Sequence, residues 1–243
     1  MPTLTAAALV TSRITLGTFV ASPNFRHPVS FARQLTALDD ISSGRFMVGL
    51  GAGATGSSYD NNALGGPEVT PRQRVDRFAE FTEVLDLLLR TDHVTWTGRY
   101  YRAVDARNLP GCVQQPRVPF LMAANGPRSI ALAARYGEGW VTTGRPSDNV
   151  PTWWRGVGAG LQRLDKALRE VGRDPALVPK YLSLDASGDV RVVQCWLPRR
   201  RGRPSRRARL HRRRDALAPA GRALCRSRVG AGGCRCAAVA RTG

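Results

Sequence analysis

Residues Gly44–Gly53 read GRFMVGLGAG, and this stretch points to the fold class. An apolar run, Phe46 to Leu50, breaks directly into glycine. A short apolar run bounded by glycine reads as a strand buried on both faces, the kind found in parallel sheets. Gly51 and Gly53 then let backbone come close to a ligand, with amides turned outward. A second apolar strand, Val118–Ala124, ends the same way, at Asn125-Gly126-Pro127.

On either side of this stretch, strand and helix patterns alternate. Thr5–Val10 reads as the end of a helix, and Arg13–Val20 (RITLGTFV) as a β-branched strand. Pro28–Leu38 is helical, with Val29, Ala32, Leu35 and Leu38 on one face, and Ser43-Gly44 stops it. Arg45–Leu50 is the next strand, and Ser57–Thr70 a long loop. Pro71–Arg90 carries the strongest helix signal. Thr70 caps it, Pro71 sits at its first position, and Gln73 completes a capping box. Val75, Phe78, Phe81, Val84, Leu85 and Leu88 form its apolar stripe. His93–Pro116 is an irregular insertion with a hairpin, Val94–Trp96 against Arg99–Arg102. Ser129–Tyr136 is a helix ended by Gly137, Gly139–Thr143 a strand, Val150–Val171 a helix and Tyr181–Leu184 a strand. Five strands with helices between them predict a parallel α/β fold, as a doubly wound sheet or a barrel.

The charge is uneven. The chain carries 37 basic and 18 acidic residues, a net +19. Residues 191–243 hold sixteen Arg, no Lys and one acid, Asp215, which leaves a net of +4 for residues 1–190. This last segment has no Ile, Phe, Tyr, Met, Asn or Glu, and it cannot bury enough apolar surface to offset its ordering entropy. Two readings fit an anomalous, disordered Arg-rich tail: an arm for RNA or DNA, or a GC-rich gene read out of frame. Apart from Trp196 there is no aromatic to stack on bases, so no specific nucleic-acid partner is expected.

Four of the five cysteines lie in that tail. Cys234-Arg235-Cys236 has the wrong spacing for a zinc pair and only His211 nearby, so no metal site is expected. No stretch is long and apolar enough to span a membrane. One cysteine in the first 190 residues, Cys112, argues against a disulfide framework and fits a cytoplasmic protein.

Four segments share a likeness: RITLGTFV, RHPVSFARQLTALDDISSGRFMVGLGAG, TPRQRVDRFAEFTEVLDLLL and VPFLMAANGPRSIALAARYGEGW. In this order and spacing, from about Thr11 to Asp185, the chain resembles the bacterial luciferase-like flavin-dependent monooxygenases. The resemblance implies a (β/α)8 TIM barrel with flavin at the C-terminal ends of the strands. On that pattern residues 1–190 form an incomplete barrel. Arg13–Val20 matches the third strand and Tyr181–Leu184 the seventh, and the tail stands where the last strand is expected. The implied activity is monooxygenation of a small organic substrate by reduced FMN and oxygen, with a flavin reductase as electron source and a homo-oligomer as the assembled form. Deazaflavin-using relatives (8-hydroxy-5-deazaflavin coenzyme) transfer hydride instead. An inactive fragment of such an enzyme is a third outcome.

The resemblance also places candidate cofactor contacts. Thr18 and Phe19 lie where the family often has a cis Phe19-Val20-type bulge behind the flavin ring. Gly51-Ala52-Gly53 matches the flavin-contacting loop, though a tight strand exit also needs glycine. In deazaflavin relatives the position of Ala54 can hold a proton-transferring glutamate; the alanine here departs from that pattern and weakens that particular chemistry. Asn125, Gly126, Pro127, Arg128 and Ser129 precede a helix, where amides form an anion site for cofactor phosphate; a plain helix cap is the alternative. Arg145 matches a basic position that can bind cofactor phosphate in some relatives; a solvated surface arginine is the alternative. No catalytic residue is assigned. His27 reads as a helix-start residue rather than a base, and Arg74, Arg77 and Glu80 as an ordinary ion-pair face. Tyr59 is a candidate cover for flavin or substrate, with simple packing as the equal alternative. Trp140, Trp153 and Trp154 read as packing residues.

Overall fold

The computed structural model describes residues 1–53, 63–65, 69–145, 147 and 149–184. Ala54, Tyr59, most of the Ser57–Thr70 loop and everything read above into the Arg-rich tail lie outside the described residues.

The chain order is α1 (Pro2–Leu9), β1 (Leu16–Gly17), α2 (Pro28–Ile41), β2 (Phe46–Leu50), α3 (Pro71–Arg90), β3 (His93–Thr97), β4 (Arg102–Arg107), β5 (Phe120–Ala123), α4 (Pro127–Tyr136), β6 (Gly139–Thr142), α5 (Val150–Glu170) and β7 (Lys180–Leu182). Five strands form one parallel sheet in the order β1-β2-β5-β6-β7. Val48, Gly49 and Leu50 pair with Phe120, Leu121 and Met122, so the two glycine-ended strands are parallel neighbours. Helices connect the successive parallel strands of this curled sheet, and the result is an incomplete (β/α)8 barrel.

Alternation along each strand sorts the faces. Val48, Leu50, Phe120, Met122 and Trp140 are buried together with Phe78, Phe81, Leu85, Ile130 and Leu164 from the helices. That layer is the core. The α3 boundaries match the expected ones, and its capping box is present: Gln73 N donates to Thr70 Oγ1 at 3.2 Å and Thr70 N to Gln73 Oε1 at 2.9 Å. Arg117, almost wholly buried, pairs with Asp86 and Glu138 and lies over the Phe120 ring, closing the end of the sheet where the strands begin.

Two expected strands are corrected. Arg13–Val20 is regular only at Leu16–Gly17, because the chain bulges from Thr18 to Val20 before it rejoins β2 at Ala21. The second hairpin strand is Arg102–Arg107 rather than Arg99–Arg102. Arg99, Tyr100 and Tyr101 form the turn instead, since Glu80 of α3 takes their amides.

Candidate functional site

Parallel strands deliver their exits to one end, and here four exits meet on one rim. At the β1 exit the Phe19–Val20 peptide is cis, the bulge the resemblance implied. Thr18 Oγ1 and Ala21 N both donate to the Gly49 carbonyl at 2.8 Å, and Gly51 N donates to the Ala21 carbonyl at 3.0 Å. A Cβ on Gly49 would lie 2.0 Å from the Thr18 carbonyl oxygen, so only glycine admits this bulge. A Cβ on Gly51 would meet Val20 Cγ2 at 2.8 Å and Ala123 Cβ at 3.4 Å, which sets Gly51 between the exits of β1 and β5. Gly53 has φ of +94° and packs on Asn24. The glycines read as ligand contacts are therefore also required by backbone packing.

The β5 exit is tied to the β6 exit. Asn125 Oδ1 accepts from the Thr142 hydroxyl, and Asn125 Nδ2 lies 3.4 Å from both Thr143 Oγ1 and the Gly144 carbonyl. Arg145 donates to the Asn125 carbonyl at 3.4 Å. Asn125 thus serves as a cross-tie, and it brings Arg145 to the same rim. Trp140 Nε1 donates to the Ala124 carbonyl and Trp153 Nε1 to the Thr143 carbonyl, so both indoles pack and anchor these loops as expected; Trp154 is half exposed.

Gly126 is the N-cap of α4, and no side chain caps the helix. The Ser129 hydroxyl is occupied by Gly126 itself, accepting from its amide at 3.2 Å and donating to its carbonyl at 3.0 Å. Pro127 has no amide. The amides of Arg128 and Ser129 therefore open the helix with its positive dipole end toward the rim, a ready oxyanion site.

Arg128 is at this site but engaged elsewhere. Its guanidinium pairs with Asp76 of α3. That hydrogen bond is the main cause holding the Asp76 carboxyl below its usual range. The expectation of Arg128 as a free phosphate donor is modified accordingly.

The remaining candidates fall into place. His27 is the N-cap of α2, with Nδ1 accepting from Val29 N at 3.3 Å, and its ring stands edge-on to Tyr101 at 5.5 Å. The ion-pair face on α3 is corrected. Glu80 accepts from Trp96 Nε1 and from the amides of Arg99, Tyr100 and Tyr101, while Arg77 donates to Asn24 Oδ1. Burial pushes the Tyr101 phenol up to about 12 and raises the Cys112 thiol. Sequence reasoning missed Asn24, Asp76 and Thr142; each acts across 17 residues or more, and no local pattern marks it. Among the described residues no cluster of three His, Cys, Asp or Glu could hold a metal, and no helix is long and apolar enough to cross a membrane.

Curled β/α units with a glycine exit beside the start of a helix define an incomplete (β/α)8 barrel, a fold whose enzymes keep their sites at the rim where the strands end. The chain belongs to the luciferase-like monooxygenase family, whose model matches residues 1–187. It is 31% identical over 200 residues to the F420-dependent hydroxymycolic acid dehydrogenase of Mycobacterium tuberculosis, covering 80% of this chain and 52% of that protein. It is 36% identical over 146 residues to the F420-dependent glucose-6-phosphate dehydrogenase of Beutenbergia cavernae, covering 59% of this chain and 41% of that protein. The crystal structure of the monooxygenase RslO1 from Streptomyces bottropensis superposes with a TM-score of 0.62 at 31% identity, covering 74% of this chain and 52% of that one. The chain spans about half the length of the curated relatives it matches.

Proposed function

We propose that this rim binds an F420-type deazaflavin and that the protein is an oxidoreductase transferring hydride between that cofactor and a small organic substrate. The observation that carries the reading is the uncapped α4 start, Gly126 to Ser129, placed one strand away from the Gly51–Gly53 exit. An anionic phosphate would sit on the Arg128 and Ser129 amides, with Arg145 adding charge. A flat ring would lie over the backbone at Gly51–Gly53, backed by Thr18 and Phe19. When bound, the deazaflavin supplies a two-electron hydride acceptor or donor. The chain's part is to hold the phosphate, fix the ring against the bulge and keep water from it.

The similarity to two F420-dependent dehydrogenases supports this cofactor over FMN. It moves the emphasis away from the FMN and oxygen chemistry expected above. That chemistry remains a second reading, supported by the 31% identity to the monooxygenase RslO1.

The test titrates the full chain with F420 and, separately, FMN, following fluorescence. Gly126→Val is the diagnostic variant. Gly126 has φ of −95°, and a Cβ there would meet only Ser129 Oγ at 3.7 Å, so the variant folds while its branches shield the helix amides. F420 binding weakened at least tenfold, with an unchanged circular dichroism spectrum, is the expected result. Binding of FMN and not F420 selects the second reading. F420 affinity unchanged by Gly126→Val removes the phosphate role from this loop.

A further inference from the structure

Among the described residues, two guanidinium groups at the β1 exit and on α3 have no carboxylate partner. Arg77 of α3 is half-buried, and its Nε is buried with no hydrogen-bond partner. Among the described residues its guanidinium donates to a neutral group, Asn24 Oδ1. Arg26 is also half-buried. It reaches the Ser22 carbonyl at 3.5 Å and lies over the Phe31 ring at 5.2 Å. Desolvation lowers its pKa, which marks the charge as poorly compensated. Neither arginine joins an ion pair among the described residues. The carboxylates nearest on α3 are committed: Glu80 to the hairpin amides, Asp76 to Arg128.

Half-buried charges normally find a counter-charge, because desolvation is otherwise uncompensated. Here Arg26 ends the short turn Ser22–Arg26 and reaches back to its first residue, while Arg77 donates to Asn24 in the middle of that turn, and Asn24 packs on Gly53. The turn belongs to the β1 exit. It is thus on the same rim as the α4 start but reached from the other side of β2.

We propose that Arg26 and Arg77 form a second oxyanion-binding point on this rim, taking a carboxylate or phosphate separate from the group held at the α4 start. The inference rests on the rim being the ligand site, as in the proposed function. The oxyanion comes either from the substrate or from a distal acidic group of the cofactor. A planar fork of donors on each arginine suits either oxyanion.

The experiment is calorimetric titration of the full chain with inorganic phosphate. Three variants are compared with the parent: Arg26→Gln with Arg77→Gln, Arg77→Lys, and Gly126→Val. Two classes of site are expected in the parent. The double Gln variant loses one class, by at least tenfold in affinity, and keeps the class that Gly126→Val removes. Arg77→Lys retains the charge and weakens that class only in part; it also serves as the reading if the double variant does not fold. Phosphate binding unchanged in the double variant, or in Arg77→Lys where only that variant folds, overturns the proposal, as does a single class abolished by Gly126→Val alone. Loss in the double variant with no effect of Gly126→Val leaves this site standing and fails the α4 phosphate site instead. Titration with F420 then separates the sources. At least tenfold weaker F420 binding in the double variant assigns the oxyanion to the cofactor, and F420 affinity within twofold of the parent assigns it to the substrate.

Discussion

Glu80→Ala tests how the β3–β4 hairpin is held against the barrel. The carboxylate accepts from Trp96 Nε1 at 3.3 Å and from the amides of Arg99, Tyr100 and Tyr101 at 3.1, 3.0 and 2.8 Å. A Cβ on Gly98 would lie 1.9 Å from Glu80 Oε1, so the turn is shaped around this side chain. Alanine removes the acceptor from all of these donors. Arg99 is exposed, and water replaces its partner. Tyr101 is only 8% exposed and the Trp96 indole is half-buried, so these two donors stay largely unpaired. Each buried donor left without a partner costs about 1–3 kcal/mol, which puts the loss at about 3 kcal/mol. Glu80→Gln keeps one carbonyl oxygen and brings a competing donor, and about half that loss is expected. Urea unfolding gives the stability change from the midpoint at constant slope. Hydrogen exchange gives the local readout, with the Tyr101 amide losing its protection. A loss under about 1 kcal/mol with the Tyr101 amide still protected would refute the anchoring role.

Gly49→Ala places a methyl 2.0 Å from the Thr18 carbonyl oxygen and pries β1 from β2. A destabilisation of about 3 kcal/mol is expected by urea unfolding, and full stability would mean the bulge can relax. Tyr101→Phe bears on alkaline stability. The folded phenol is pushed up to about 12 from an ordinary value of 10, so the folded state holds that proton more tightly than the unfolded one. Its contribution is intact below pH 10 and lost as the pH rises from 10 to about 12, so the parent's urea midpoint should fall relative to the variant's across that window. At neutral pH the variant should equal or exceed the parent by about 1 kcal/mol, since the buried hydroxyl has no partner. Asp76→Asn releases Arg128 toward the α4 start, so phosphate should bind more tightly in the same calorimetric titration; unchanged affinity would show that Arg128 does not reach the anion.

The sheet was legible because its strands obey local rules. Phe46–Leu50 and Phe120–Ala123 are short apolar runs closed by glycine, and a buried parallel strand needs little more. The α3 helix was legible to the residue, since Thr70, Pro71 and Gln73 satisfy its first turn by themselves. The β1 boundary was not, because the bulge at Thr18–Val20 is imposed from across the sheet by the Gly49 carbonyl and the space Gly49 leaves. The hairpin register failed for the same kind of reason, as Glu80 sits 19 to 21 residues from the amides it fixes.

Site residues divide along the same line. Backbone features could be read in outline: a glycine exit, or a helix start just after Asn125, although the helix begins at Pro127 rather than at Ser129 as expected. Partnerships between side chains could not. Arg77 and Glu80 are three apart on one helix, the spacing of an ion pair. Yet Glu80 meets several amide donors in fixed geometry, and Arg77 meets the turn that carries Asn24. Exposed ion pairs on a helix contribute only a few tenths of a kcal/mol, whereas each bond from a carboxylate to a buried amide contributes about 1.5 kcal/mol or more. Tertiary partners therefore win at both positions. Among the described residues Arg77 is left with positive charge and no carboxylate partner, and that residual charge, invisible to helical spacing, is what the proposed second oxyanion point rests on.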